Sequence, residues 1–242
     1  MIIECKTSNI LDLSTQEYTI DQISDVIYSQ DLYNDINFIY LGKQEYQPIW
    51  KLQNLLHQAV KDNVIPSIVL YLEHPHVYTF GKNANKDFLL NSRPKNVDVI
   101  QSDRGGQVTY HGPGQLVGYP IINLNHFHKS VSWYMRSLEQ VIISTLKNYQ
   151  IDSERKDEMT GVWVDDEKIC AMGVRLSRWV TMHGFALNLK PDMKYYDCMI
   201  PCGIQEFGVT SMSDILSKDI DIVEVMEKLS FEFLNIFKKN NE

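Results

Sequence analysis

A chain of 242 residues with 44% hydrophobic and 22% charged residues can build one large domain with a substantial core. No apolar run approaches the roughly eighteen residues that a membrane span needs, and a net charge of −8 argues against general nucleic-acid binding. Four cysteines (Cys5, Cys170, Cys198 and Cys202) are too few for a disulfide framework, so the expected setting is a reducing cytoplasm with free thiols.

The charge is uneven. Residues 1–36 hold seven acids and one base, Lys6, which is the reverse of an Arg-rich transit peptide. This acidic N-terminal extension, outside a single domain spanning 37–242, is read as a strand and a helix over 20–28, or as a loosely docked segment. Apolar residues at helical spacing predict a helix over 48–61, opened by Pro48 in its first turn. Residues 68–72 read as a buried strand leading to His74 and His76, polar residues at a strand exit that would need a third partner to bind a metal.

Strands are expected over 97–100, 107–110 and 115–124, then a helix over 131–149 with Ser130 as N-cap. Strands 161–164, 168–176 and 179–189 form an antiparallel meander, with an acidic turn at 165–167. Helices over 210–216 and 222–237 follow, then a frayed polar tail. The resulting fold class is α/β, with a mixed, mostly antiparallel sheet and flanking helices.

Three features carry candidate chemistry. Residues 104–119, RGGQVTYHGPGQLVGY, hold five of the twelve glycines, a composition that lets backbone approach a ligand closely. Cys202 lies between Pro201 and Gly203, in a turn rather than a packed strand. A free thiol is mostly protonated at neutral pH, so a nucleophilic cysteine needs a cation or a base beside it. Lys168, at the start of an apolar strand, is the candidate partner, with His111 and His183 as competing bases. The Cys198–Cys202 spacing, without a second pair, is a weak zinc signal. Glycines inside strands, at Ala171-Met172-Gly173 and Gly184-Phe185-Ala186, mark either close approach of a ligand or curvature of the sheet. In a regular strand Cys170 would share a face with Lys168, leaving two thiols in competition.

Taken together, RGGQVTYHGPGQLVGYP, LGKQEYQPIWKLQ, LEHPHVYTFGK, GVWVDDEKICAMGVRLSRWVTMHGFALN and the IPCGI loop resemble the lipoyl(octanoyl) transferases over residues 37–215. The resemblance implies a fold similar to the catalytic domains of biotin and lipoate protein ligases. It implies Cys202 as the nucleophile that holds the acyl group and Lys168 as its acid/base partner. Arg104, Gly105, Gly106, Gln107, Val108, Thr109, Tyr110 and His111, with Ala171 to Gly173 and Gly184 to Ala186, would line the acyl site. Octanoyl-acyl carrier protein would be the donor. Lipoyl domains of 2-oxoacid dehydrogenase acyltransferase subunits, or the glycine-cleavage H protein, would be the acceptors, with no ATP, metal or other cofactor. Two alternatives share the fold: an ATP-dependent lipoate or biotin ligase, which needs no cysteine nucleophile, and a non-catalytic protein that binds acyl groups or lipoyl domains. Intact Cys202 and Lys168 favour the transferase.

Overall fold

The computed structural model describes residues 10–30, 32, 34–200 and 207–238. The chain opens with two successive strand–helix–strand crossovers. β1 (Ile10–Asp12), α1 (Ile20–Ser29), β2 (Ile36–Lys43), α2 (Tyr46–Lys61) and β3 (Ser67–Glu73) give three neighbouring parallel strands. α1 begins at a capping box, with Thr19 accepting from the Gln22 backbone while the Gln22 side chain accepts from the Thr19 backbone. The expected strand and helix are therefore present within the acidic segment. They are built into the main sheet and its core rather than loosely docked, because Leu13, Ile23 and Ile27 are buried among the side chains of α2.

The large sheet continues antiparallel through β7 (Gln115–Ile121), β11 (Val180–Asn188), β10 (Glu167–Ser177), β9 (Met159–Val164) and β8 (Glu154–Lys156). The short β12 (Gly208–Val209) lies parallel to β10 off this path. Alternation along β3 sorts the two cores. Ile68, Leu70 and Leu72 face α1 and α2, while Val69 and Tyr71 face α3 (Val131–Lys147) and α5 (Ile222–Ile236). Each fully buried leucine or isoleucine in these layers contributes about 1.5–3 kcal/mol. Ser130 caps α3 as expected, accepting from the Trp133 backbone at 3.2 Å. The helix expected over 210–216 is the shorter α4 (Met212–Leu216). Most of the polar tail, 239–242, lies outside the described residues. Among those described, no helix is long and apolar enough to cross a membrane.

A second, three-stranded sheet was not foreseen. β4 (Val77–Phe80) lies between β5 (Asp98–Gln101), to which it is parallel, and β6 (Val108–His111), to which it is antiparallel. Its four residues are all buried, so they show no alternation that would mark a strand. This small sheet carries the glycine-rich loop to the face of β10.

Candidate active site

The loop after β5 is fixed at both ends of its Arg-Gly-Gly turn. Arg104 is buried, and its guanidinium donates to the Thr79 hydroxyl and carbonyl, the latter at 2.6 Å. The Gly105 N–H donates to the Val174 carbonyl of β10 at 3.0 Å. That approach is possible only because residue 173 is glycine: a Cβ there would lie 2.8 Å from the Gly105 carbonyl oxygen. On the adjacent strand Gly184 makes room in the same way, since a Cβ there would lie 2.2 Å from the Gly118 carbonyl oxygen. The interruptions in these strands therefore accommodate neighbouring backbone of the protein itself. Gly184→Ala should cost about 1–3 kcal/mol through overpacking. A melting temperature lower by about 3–10 °C is expected, and an unchanged melt would show that the sheet absorbs the methyl group.

Two adjoining cavities result. The larger, about 450 Å³, is lined by Arg104, Gly105, Gly106, Gln107, Val108, Thr109, Lys168, Ala171, Met172 and Gly173 among others. The smaller, about 40 Å³, is lined by His111, Gly184, Phe185 and Ala186, and shares Arg104, Thr109, Ala171, Met172 and Gly173 with its neighbour. Of the expected wall residues, Tyr110 lines neither. Strand alternation puts Thr109 and His111 on the cavity side of β6 and turns Tyr110 away, into a stack with Tyr195 at 4.9 Å.

Lys168 is buried at the wall of the larger cavity, with its Nζ 4.6 Å from the centre of the Trp163 ring. It sits opposite Trp163 on β9 and Val209 on β12. Immediately after it the register slips, so that Cys170 pairs with Val162. This bulge overturns the regular alternation expected for β10: Cys170 joins Ile169 in the core beneath α3 and does not line either cavity. Burial pushes the Cys170 thiol well above the ordinary range, which makes it a poor nucleophile. Cys198 is also buried, in a 3₁₀ turn at Met193–Cys198. Cys202 lies outside the described residues, as do the rest of residues 201–206. Met199 and Val209, on either side of that segment, both line the cavity that holds Lys168.

His111 and His183 line the smaller cavity, and His74 packs against His111. The His74 Nδ1–H donates to the Gln44 carbonyl at 2.6 Å, and its Nε2 accepts from the Tyr119 hydroxyl at 2.8 Å. The His111 Nδ1–H donates to Gln115 Oε1 at 2.8 Å. His183 donates from Nε2 to Asp103, whose other oxygen pairs with Arg175 at 2.5 Å. Burial pulls His74 down to about 4, and burial followed by the neighbouring His74 pulls His111 down to about 3. Burial also lowers His183, against the opposing pull of Asp103. Near neutral pH these rings are therefore neutral. Below about pH 6.5 the unfolded chain takes up protons that the folded histidines refuse, so stability falls as pH drops. A lower melting temperature at about pH 5 than at about pH 7.5 is expected, and equal values would contradict the depressed histidines.

Sequence reasoning missed several wall residues. Met135 comes from α3, Glu158 from the turn between β8 and β9, Met159 and Thr160 from the start of β9, and Asn188 and Tyr196 from a polar network. In that network Gln115 Nε2 donates to the Tyr196 hydroxyl at 2.7 Å, and Tyr196 donates to Asn188 Oδ1 at 2.8 Å.

The mixed, mostly antiparallel sheet with flanking helices is a fold shared with lipoate and biotin protein ligases. A bipartite lipoate protein ligase of Thermoplasma acidophilum superposes with a TM-score of 0.63 at 14% identity, covering 83% of this chain and 85% of that one. The Aquifex aeolicus biotin protein ligase gives 0.55 at 17% identity, covering 85% and 71%. Both likenesses are of fold alone.

The lipoyl protein ligase A/B catalytic domain family matches residues 45–234. The octanoyltransferase of Christiangramia forsetii is 44% identical over 219 residues, covering 82% of this chain and 94% of the relative. The chain belongs to the octanoyltransferases, which are acyltransferases of protein lipoylation.

Proposed function

We propose that this chain moves an octanoyl group from octanoyl-acyl carrier protein to Cys202, and from Cys202 to a lysine of a lipoyl domain. The lipoyl domains of 2-oxoacid dehydrogenase acyltransferase subunits and the glycine-cleavage H protein are the proposed acceptors. The observation that carries this reading is the buried Lys168, on the wall of the same cavity as Met199 and Val209, which lie on either side of the Cys202 segment. The catalytic machinery is proposed to lie within residues 37–242, on the sheet that β1 and α1 complete, and a reducing cytoplasm is the setting that keeps the thiol free.

In the first step the Cys202 thiolate attacks the thioester carbonyl, the bond to the carrier sulfur breaks, and the carrier leaves as a thiol with a proton from Lys168. In the second, the acceptor amine attacks the octanoyl-Cys202 thioester. Its proton passes to Lys168, the bond to Cys202 breaks, and an amide forms. Thioester exchange is nearly isoenergetic and amide formation is downhill, so the sequence runs without nucleotide activation. Arg104, Gly105, Gly106 and Gln107, with Val108, Thr109 and His111 after them, form one wall of the proposed acyl site. Ala171 to Gly173 and Gly184 to Ala186 form the other.

Incubation with octanoyl-acyl carrier protein should raise the intact mass by one octanoyl group, and adding a lipoyl domain should discharge it. Acylation that occurs only when ATP and free octanoate are supplied would instead mark a ligase.

A further inference from the structure

The connection from β4 to β5, residues 82–97, has a charge opposite to that of the chain as a whole. It carries Lys82, Lys86, Arg93 and Lys95 against a single acid, Asp87, in a protein of net charge −8. Lys82, Lys86 and Lys95 are exposed and Arg93 is half-buried. Among the described residues none of the four makes an ion pair, although six Lys or Arg side chains elsewhere pair with carboxylates. Uncompensated cations of this kind usually disperse over a surface; here they share one segment.

The position of the segment is the second observation. On one side it is bonded to the glycine-rich wall: the Lys82 N–H donates to the Arg104 carbonyl at 2.9 Å, and the Asn85 N–H to Gln107 Oε1 at 2.8 Å. On the other it is bonded to the chain entering the Cys202 segment. The Leu90 N–H donates to the Cys198 carbonyl, and the Ile200 N–H to the Phe88 carbonyl, both at 2.8 Å. Leu89 also bridges to Met199, which lines the larger cavity. The basic strap thus joins the two lips of the cavity that holds Lys168. The adjoining 3₁₀ turn adds Lys194 against Asp192 and Asp197, so strap and turn together hold five bases against three acids.

We infer that residues 82–97 are the docking surface for the acidic carrier protein that brings the acyl thioester. The inference rests on the octanoyl-transfer reading and names the partner surface of that site. The donor fits this rim better than the acceptor does. A thioester borne on a phosphodiester-linked arm brings negative charge to the cavity mouth, whereas the acceptor's reacting group is a lysine amine that basic side chains repel. Cations placed at a rim steer encounter and set salt dependence while leaving the chemical step alone.

The test is the triple charge reversal K82E/K86E/K95E in the full chain, assayed with octanoyl-acyl carrier protein and with the small thioester octanoyl-pantetheine. For the carrier-borne donor, KM should rise by about tenfold or more at low salt with kcat unchanged, and the difference from the unmodified protein should shrink as salt is raised. Kinetics with octanoyl-pantetheine should stay as they are, which also shows that the variant is folded. Equal losses with both donors, an unchanged KM for the carrier-borne donor, or a rise confined to the acceptor's KM would each overturn the docking surface. Failure of the unmodified protein to transfer octanoyl from either donor would overturn the underlying reading instead.

Discussion

Replacing Cys202 with serine is expected to reduce octanoyl transfer by on the order of 10³-fold or more and to remove the octanoyl-enzyme from the mass spectrum. The chain has four thiols, and the fold disposes of two of them. Cys170 is sealed beneath α3 with its thiol held protonated by burial, and Cys198 is packed within its 3₁₀ turn. Neither is presented to the cavity. Adduct mapping by peptide mass spectrometry checks the assignment directly: an octanoyl group found on Cys170 or Cys198 would sink it. Cys170→Ala should leave acylation intact.

The second large effect is expected at Lys168. Its substitution by alanine should slow transfer by about 10²–10⁴-fold, the range associated with loss of a positioned acid/base group. Two readouts separate that role from simple support of the fold. Alkylation of Cys202 should need a higher pH in the variant, because a cation that favours the thiolate has gone. Single-turnover discharge of octanoyl-enzyme prepared in advance should be slowed as well, because the group that accepts the acceptor's proton is missing. A variant that melts normally, alkylates with the unaltered pH profile and discharges at the normal rate would remove Lys168 from the mechanism. Lys168→Arg restores the charge without a group able to accept a proton at neutral pH. It should therefore recover the alkylation profile more than the discharge rate.

The features of the site legible in the sequence are those written in contiguous residues. The Arg-Gly-Gly turn, the lysine at the head of a strand and the small residues of β10 and β11 are local patterns, and the cavities gather them as expected. Tyr110 was expected in the wall with its neighbours, but β6 turns Thr109 and His111 towards the cavities and Tyr110 into its stack with Tyr195. The bulge after Lys168 was not legible, because it depends on how β9 pairs with β10 and no residue type announces it. Nor could the sequence place Met135 or Tyr196 in the wall. Each reaches the cavity from an element brought there by long-range packing. In the fold, the strands of the main sheet followed from short, apolar, β-rich runs and the helices from apolar spacing. The small sheet escaped because β4 is short, wholly buried, and paired with strands some twenty to thirty residues further on.

The two crossovers that open the chain bear on how it stays apart from its own copies. β2 is eight residues long and nearly all buried, and without β1 its hydrogen-bonding groups would form an open border of the sheet. Long apolar borders of that kind recruit strands from other molecules. Here, among the described residues, the border is covered by β1, which ends in Asp12, and the opposite end of the sheet finishes in the short β8. The acidic segment thus acts as a selvedge: it finishes the woven edge with a strand that ends in an exposed carboxylate, a charge that disfavours another strand stitching on there.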